Sequence, residues 1–120
     1  KTQVAGAVVI STPQDIALID ARKGIDMFQQ LKCPILGIVE NMAGFVCDGC
    51  GKQHYPFGHG GARAEAEKLG VPFLGEIPLD LDIRIADDGG APIVALKPDS
   101  PQSAAFWAIA DALIALETPA

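Results

Sequence analysis

The sequence has 120 residues, of which 49% are hydrophobic and 20% charged, as in ordinary soluble globular domains. We therefore expect a single domain over residues 1–120 with a buried core. The net charge of −6, without any Lys/Arg cluster, argues against a nucleic-acid partner. No apolar run reaches the roughly 18 residues of a membrane span, so no membrane partner is expected. Three cysteines are too few, and odd in number, for a disulfide scaffold, which favours a reducing cytoplasm.

The first part of the chain has the pattern of an α/β fold. Continuous apolar runs predict strands buried on both faces of a mostly parallel sheet at residues 4–10, 35–39 and 73–77. A helix is predicted between the first two, with Thr12 as its N-cap, Pro13 at its first position and Gln30 near its end. These elements form a right-handed βαβ unit. The helix has a buried stripe at Leu18, Ala21, Ile25 and Phe28.

Helices flank the predicted sheet further along the chain as well. One is expected at residues 62–69, and a short one is capped by Asp80 or Asp82, with Ile83, Ile85 and Ala86 inward. Residues 91–96 suggest a short extended piece, and a last helix runs from Ser100–Pro101 to about residue 117. It should bury Phe106, Ile109 or Ala110, and Leu113. On the first helix, Arg22 and Asp26 are four residues apart and predict a solvated pair.

A glycine-rich insertion at residues 43–61 interrupts this alternation and contains Cys47, Cys50 and both histidines. Two thiols separated by two residues and followed by Gly51 form a tight knuckle, whose sulfurs can face one metal ion or cluster. A tetrahedral thiolate site takes four ligands, and this knuckle supplies two. The source of the other two ligands decides the kind of site.

Four interpretations of Cys47 and Cys50 remain open at this point. A cluster or zinc ion could be shared by two chains, each giving two thiolates. His54 and His59 could instead complete a site within one chain, although zinc-finger spacing is about four times longer than the gap after Cys50. The pair could also be a redox couple or ordinary loop cysteines. The histidines also suit hydrogen bonding within the loop, and Cys33 suits an inert packed thiol.

Ligands of open parallel sheets collect beyond the carboxyl ends of the strands, here residues 11–12, 40–41 and 76–78. Asn41 could bind a nucleobase edge there or simply form a turn. The glycine-rich residues 58–61 could hold an anion at a helix start, or merely turn the chain. No Gly-x-x-x-x-Gly-Lys-Ser/Thr phosphate-binding motif occurs within these 120 residues.

Three segments together resemble the Mrp/ApbC family of ParA/MinD-like P-loop ATPases, which are iron–sulfur cluster carriers. They are residues 11–24 (STPQDIALIDARKG), residues 37–42 (GIVENM) with Cys47-x-x-Cys50, and residues 57–61 (FGHGG) leading to 74–79 (LGEIPL). The resemblance extends over residues 4–116 and covers the C-terminal half of the family's fold. The Walker A half lies upstream in that family, so we expect a fragment that hydrolyses no ATP alone, with no catalytic residue assigned.

The resemblance implies that Cys47 and Cys50 hold a [4Fe–4S] cluster bridging a homodimer, for transfer to apo iron–sulfur proteins. Zinc could occupy the site in aerobic preparations, and ATP with Mg would act in the full-length protein. Asn41 and the backbone near Pro78 would border the adenine pocket. Asp48 stands where the family usually has proline and adds a carboxylate nearby. The alternative functions are a ParA/MinD-like regulatory ATPase half, with structural zinc or no metal, and a small thiol oxidoreductase.

Overall fold

The computed structural model describes residues 4–47 and 49–117, apart from the side chain of the last of these. The elements in chain order are β1 (Ala7–Ser11), α1 (Asp15–Gln30), β2 (Ile35–Glu40), β3 (Phe45–Val46), β4 (Gln53–His54), α2 (Gly61–Leu69), β5 (Phe73–Glu76), α3 (Leu81–Asp88), α4 (Ile93–Leu96) and α5 (Pro101–Glu117). None of these helices is long and apolar enough to cross a membrane.

The main sheet is parallel, as the apolar runs predict, and its strand order is β1-β2-β5. Val9 of β1 pairs with Ile38 of β2, and Ile38 also pairs with Phe73 of β5. Each strand therefore ends at the same edge, where β2 leads into the insertion and β5 leads into α3. The sheet thus positions the start of the insertion beside the end of β5.

Two apolar clusters cover the two faces of this sheet. Ile38 packs with the side chains of α1 and α2, namely Leu18, Ile25, Ala62 and Ala66. Val39, its neighbour in the strand, packs on the other face with Leu74 and Ile77, against Phe106, Ile109 and Leu113 of α5. Successive strand residues point to opposite faces, so burial of both neighbours confirms the predicted two-sided sheet.

The start of α1 differs from the sequence prediction. The helix begins at Asp15, with Gln14 as its N-cap, and the hydroxyl of Thr12 lies 3.1 Å from the side-chain oxygen of Gln14. Pro13 is buried, and its carbonyl oxygen lies 2.7 Å from the position that a Cβ on Gly61 would take. Pro13 therefore packs against the start of α2, and the predictions of Thr12 as the N-cap of α1 and of Pro13 as its first residue are both wrong.

The predicted extended piece at residues 91–96 is also wrong, because Ile93–Leu96 forms a helical turn. The Pro92 carbonyl accepts hydrogen bonds from the amides of Ala95 and Leu96, at 2.9 and 3.1 Å. The buried hydroxyl of Ser103 lies 3.1 Å from the Ile93 carbonyl. These bonds satisfy backbone groups that an isolated extended segment would leave without a partner strand.

Arg22 makes a different ion pair from the one predicted with Asp26. Its Nε donates to Oε2 of Glu65 at 3.0 Å and its Nη2 donates to Oε1, so the pair is bidentate and joins α1 to α2. The hydrogen bonds and charge of Arg22 lower the pKa of the Glu65 carboxyl. On α3, Asp80 caps the helix as predicted, whereas Ile85 is 53% exposed and not inward.

Candidate metal centre

The insertion after β2 contains a short antiparallel hairpin made of β3 and β4. Phe45 pairs with His54, and beyond the strands the amide of Cys47 donates to the carbonyl of Lys52 at 3.0 Å. The chain closes with a bond of 2.7 Å from the Gly51 amide to the Cys47 carbonyl. Gly51 has a φ of +69°, which glycine adopts without strain. This confirms the tight knuckle that the cysteine spacing predicts.

Backbone hydrogen bonds hold the base of the hairpin to the end of β5. The amide of Ala43 donates to the carbonyl of Ile77 at 3.0 Å, and the amide of Leu79 donates to the carbonyl of Gly44 at 2.8 Å. A Cβ on Gly44 would lie 2.9 Å from the ring of Tyr55 and from the His54 carbonyl. The returning strand therefore passes so close that only glycine fits at position 44 without a shift.

The sulfurs of Cys47 and Cys50 converge near the tip of this hairpin. Both Sγ atoms and a ring nitrogen of His54 lie within 4.8 Å of one another, and Cys50 Sγ is 3.9 Å from His54 Nε2. Cys50 is exposed, Cys47 is half-buried, and neither is in a disulfide in the described part of the chain. Two sulfurs and one imidazole nitrogen are a donor set suited to a thiophilic metal.

The two histidines occupy different positions. His54 stacks on Phe45, with ring centroids 5.2 Å apart, and faces the sulfurs. His59 stacks on Tyr55 at 3.9 Å and does not belong to the donor group found within the described ranges. The interpretation in which both histidines complete a site within one chain is therefore wrong in including His59. Asp48 lies outside the described residues.

Cys33 lies at the opposite end of β2 from the hairpin, just before the strand begins. It is half-buried, and its Sγ is 3.8 Å from the carbonyl oxygen of Pro34. The role of Cys33 as an inert packed thiol stays a prediction. Its position makes Cys33 a cysteine outside the candidate centre.

Asn41 and Pro78, the predicted nucleotide-site residues, lie on one cavity of about 260 Å³ beyond the ends of β2 and β5. The cavity is also lined by Met42, Ile83 and Arg84. The side-chain oxygen of Asn41 accepts a hydrogen bond of 2.9 Å from the Met42 amide, which is the turn-forming role. The structure thus brings Asn41 and Pro78 together, and their contact with a base stays a prediction.

Glu40 is a residue that sequence reasoning missed. Its side chain is fully buried, and its Oε1 accepts a hydrogen bond of 3.1 Å from the Ala62 amide in the first turn of α2. Burial raises the pKa of the Glu40 carboxyl, and the nearby Glu76 adds to this, against the opposing effect of that hydrogen bond. The start of α2 therefore already binds a carboxyl group of its own chain, through the Ala62 amide. The sequence did contain a signal for this role, because Glu40 is a charged residue at the end of a strand that is predicted to be buried on both faces.

Comparisons with known proteins identify the family of the chain. Residues 1–114 match the ParA family described as NUBPL iron-transfer P-loop NTPases. The iron-sulfur cluster carrier protein of Escherichia coli is 48% identical over 93% of this chain and 30% of its own length. A nucleotide-binding protein of Archaeoglobus fulgidus, solved in complex with ADP and with cobalt, is 45% identical, with a TM-score of 0.62 over 72% of this chain and 35% of that one.

The fold also matches that of the Pyrococcus furiosus cell division ATPase MinD, with a TM-score of 0.73 and 28% identity, over 93% of this chain and 43% of the MinD chain. This confirms the predicted α/β, ParA/MinD-like fold class. The chain spans about a third of the length of the curated relatives it matches. It belongs to the ParA family of P-loop NTPases that contains the NUBPL iron-transfer proteins.

Proposed function

We propose that the protein carries iron–sulfur clusters and binds its cargo through Cys47 and Cys50. The observation that carries this proposal is the convergence of the two sulfurs at the hairpin tip, with Cys50 exposed. Cysteine thiolates are the usual ligands of iron–sulfur clusters. Family membership supports the same function, as does the Escherichia coli relative named as a cluster carrier.

The proposed cargo is a [4Fe–4S] cluster shared by two copies of the chain. Such a cluster takes four thiolates, and the hairpin of one chain presents two. A twofold axis near the hairpin tip would supply the other two from an identical surface. Apo iron–sulfur proteins are the proposed acceptors, since exposed thiolate ligands can be replaced one at a time by those of an acceptor.

We propose that ATP with Mg acts in the full-length protein, at a site bordered by Asn41 and Pro78. The ADP complex of the Archaeoglobus fulgidus relative supports nucleotide binding. The cavity wall and the hairpin are directly connected, because Leu79 follows Pro78 and its amide bonds the Gly44 carbonyl. A ligand that displaces the segment around Pro78 would therefore also move the base of the hairpin.

The test is anaerobic reconstitution with iron and sulfide, followed by iron and sulfide analysis. The full-length protein should bind about four irons per dimer. The double variant Cys47→Ser/Cys50→Ser should lose this iron. Cys33→Ser is the matched control, since Cys33 lies away from the hairpin, and it should bind as much iron as the parent protein.

Two results would contradict the proposal. One is iron binding that survives in Cys47→Ser/Cys50→Ser. The other is a protein that takes up zinc and resists iron and sulfide under the same conditions, which would favour a ParA/MinD-like regulatory ATPase with a structural ion. A measurement of iron per chain and molecular mass in the same sample also tests the proposed dimer.

A further inference from the structure

We propose that a groove beside the hairpin is the docking surface for the protein that receives the cluster, and that the groove binds an apolar segment flanked by lysine or arginine. The groove lies between β3 and the start of α3, and its apolar walls are Phe45, Val46, Leu79 and Leu81. This inference rests on the proposed carrier function, because it assigns a surface to the acceptor. The residues that it concerns bind no metal.

The walls of the groove are apolar side chains that remain in contact with water. Two adjoining cavities, of about 270 and 300 Å³, share Phe45, Leu79 and Leu81 as walls. Val46 is 57% exposed and Leu81 is 59% exposed. Ile85, one helical turn after Leu81, is also exposed, although the sequence pattern predicts its burial. Large apolar side chains exposed together typically mark an interaction surface.

The groove begins next to the candidate metal centre. Val46 directly precedes Cys47, and the hydrogen bond from the Leu79 amide to the Gly44 carbonyl fixes the other wall to the base of the hairpin. A protein docked in the groove would therefore hold its own thiols close to a cluster bound at the hairpin tip. Docking raises the effective concentration of those thiols, which favours their replacing the exposed ligand Cys50.

The rim of the groove has an excess of negative charge. Both cations at the rim are already paired with an aspartate, Arg84 with Asp88 at 3.0 Å and Lys97 with Asp82 at 3.5 Å. Asp80, which caps α3 and lines both cavities, adds a carboxyl group that is in no ion pair within the described ranges. An apolar segment flanked by lysine or arginine complements such a rim.

The same charges argue against a second copy of the chain as the occupant. A twofold axis near the hairpin tip would set each groove against the matching surface of the other copy, because such an interface joins identical patches. The excess negative charge would then face itself, in a chain whose net charge is −6. A basic acceptor would be attracted by this charge instead.

The test measures binding of the cluster-free full-length protein to two versions of one apo-ferredoxin, which serves as the probe. One version has leucine and lysine beside its cysteines, and the other has serine and glutamate at the same positions. The leucine–lysine version should bind at least about 10-fold more tightly. Because no cluster is present, this measurement does not depend on the cargo.

Leu81→Ser/Ile85→Ser should weaken binding of the leucine–lysine ferredoxin at least about 10-fold. Met27→Ser/Leu31→Ser is the matched control, because these side chains are also four residues apart and exposed, but lie at the end of α1 that leads into the start of β2. This control should bind the ferredoxin as the parent protein does. All four side chains are exposed, so neither variant should disturb folding.

Asp82→Lys tests the charge of the rim. It should weaken binding of the leucine–lysine ferredoxin about threefold at low salt, and high salt should reduce this difference. Asp26→Lys makes the same change of charge at an exposed position of α1 and should have less effect. Equal effects of the two variants would overturn the role of the rim.

Cluster transfer separates the docking surface from the metal site. After loading with iron and sulfide, Leu81→Ser/Ile85→Ser should transfer its cluster to the leucine–lysine ferredoxin at least about 10-fold more slowly than the parent protein. It should lose iron to EDTA at the parent rate, since its cysteines are unchanged.

Three results would overturn the inference while leaving cluster binding intact. They are equal binding of both ferredoxins by the parent protein, unchanged binding in Leu81→Ser/Ile85→Ser, and a cluster-free dimer that this variant converts to a monomer. The last result would assign the groove to a second copy. If the groove binds the leucine–lysine ferredoxin in a protein that takes up no iron and sulfide, the docking surface is supported and the carrier proposal fails.

Discussion

The sheet and the hairpin are stabilised in different ways. Ile38 and Val39 at the centre of β2 are 1% and 2% exposed, and each packs into a cluster on its own face of the sheet. Val46 in the hairpin is 57% exposed. The hairpin relies instead on backbone hydrogen bonds, the close approach at Gly44 and the stacking of two ring pairs.

The residues that stabilise the fold and the residues that could bind a metal therefore lie in different regions of the molecule. Apolar burial supplies most of the folding free energy, and the sheet with its helices contains that burial. The hairpin holds the candidate donors while burying little apolar surface. Substitutions in the hairpin should therefore change metal binding more than stability, and substitutions in the sheet should do the reverse.

The largest expected effect on stability comes from a matched pair of valine substitutions. Val39→Ala removes two buried methyl groups and leaves a cavity, which should lower the free energy of unfolding by about 2 kcal/mol. Val46→Ala, at an exposed hairpin position, should change it by less than about 0.5 kcal/mol. Urea unfolding of both variants measures this, and equal losses would contradict the separation.

Gly44→Ala should disturb the hairpin where it is packed most closely. The new methyl group would meet the His54 carbonyl and the Tyr55 ring at 2.9 Å, so the returning strand must move. We expect a stability loss of about 1 to 2 kcal/mol from this crowding, with faster hydrogen exchange at hairpin amides and weaker metal binding.

Gly24→Ala is the control, because a Cβ there meets nothing within 4 Å and lies inside α1. It should stabilise the protein by about 0.5 to 1 kcal/mol. If Gly44→Ala left hairpin exchange and metal binding unchanged, the close approach would not position the site.

Glu40→Gln tests the buried carboxyl at the boundary between the sheet and the hairpin. The raised pKa of Glu40 means that the folded protein binds this proton more tightly than the unfolded chain, so the parent protein loses stability as the pH rises above about 4.5. Glutamine keeps an acceptor for the Ala62 amide without the charge. The stability of Glu40→Gln relative to the parent should therefore increase from pH 4.5 upward.

Glu40→Leu is the matched control, since it removes both the charge and the acceptor. Loss of the bond to the Ala62 amide should cost about 1 kcal/mol relative to Glu40→Gln. Urea unfolding at several pH values measures both differences. A constant difference between Glu40→Gln and the parent across this range would contradict the raised pKa.

The smallest expected effect is that of Arg22→Met, which keeps the apolar stem but removes the bidentate contact with Glu65. Because Arg22 is partly exposed, the loss of stability should be smaller than the losses expected for Val39→Ala and Gly44→Ala. The lowered pKa of Glu65 means that the pair stabilises the protein above about pH 4.5 and less as the pH falls. Urea unfolding should thus show a lower free energy of unfolding for Arg22→Met than for the parent protein at pH 7, and this difference should disappear in acid.

Local patterns predict much of this fold. Continuous apolar runs indicate β1, β2 and β5, and Asp80 caps α3 as its position suggests. The spacing of Cys47 and Cys50 likewise predicts their convergence, because two intervening residues in a tight turn leave both sulfurs near one point. In each case the signal and its consequence lie within a few residues.

Local sequence patterns could not predict contacts between residues that are far apart in the sequence. Arg22 and Glu65 are 43 residues apart, so only the packing of α1 on α2 reveals that Arg22 pairs there and not with Asp26. Glu40 reaches Ala62 across the whole insertion. His54 joins the sulfurs because the hairpin register places it there, whereas its spacing from Cys50 argued against a ligand.

The most direct test of the central claim is cysteine-resolved alkylation of the full-length protein before and after loading with iron and sulfide. Mass spectrometry would give the modification rate at each cysteine. We predict that loading protects both Cys47 and Cys50 and leaves the rate at Cys33 unchanged. A loaded protein in which Cys47 and Cys50 are alkylated as fast as before loading would contradict their role as ligands.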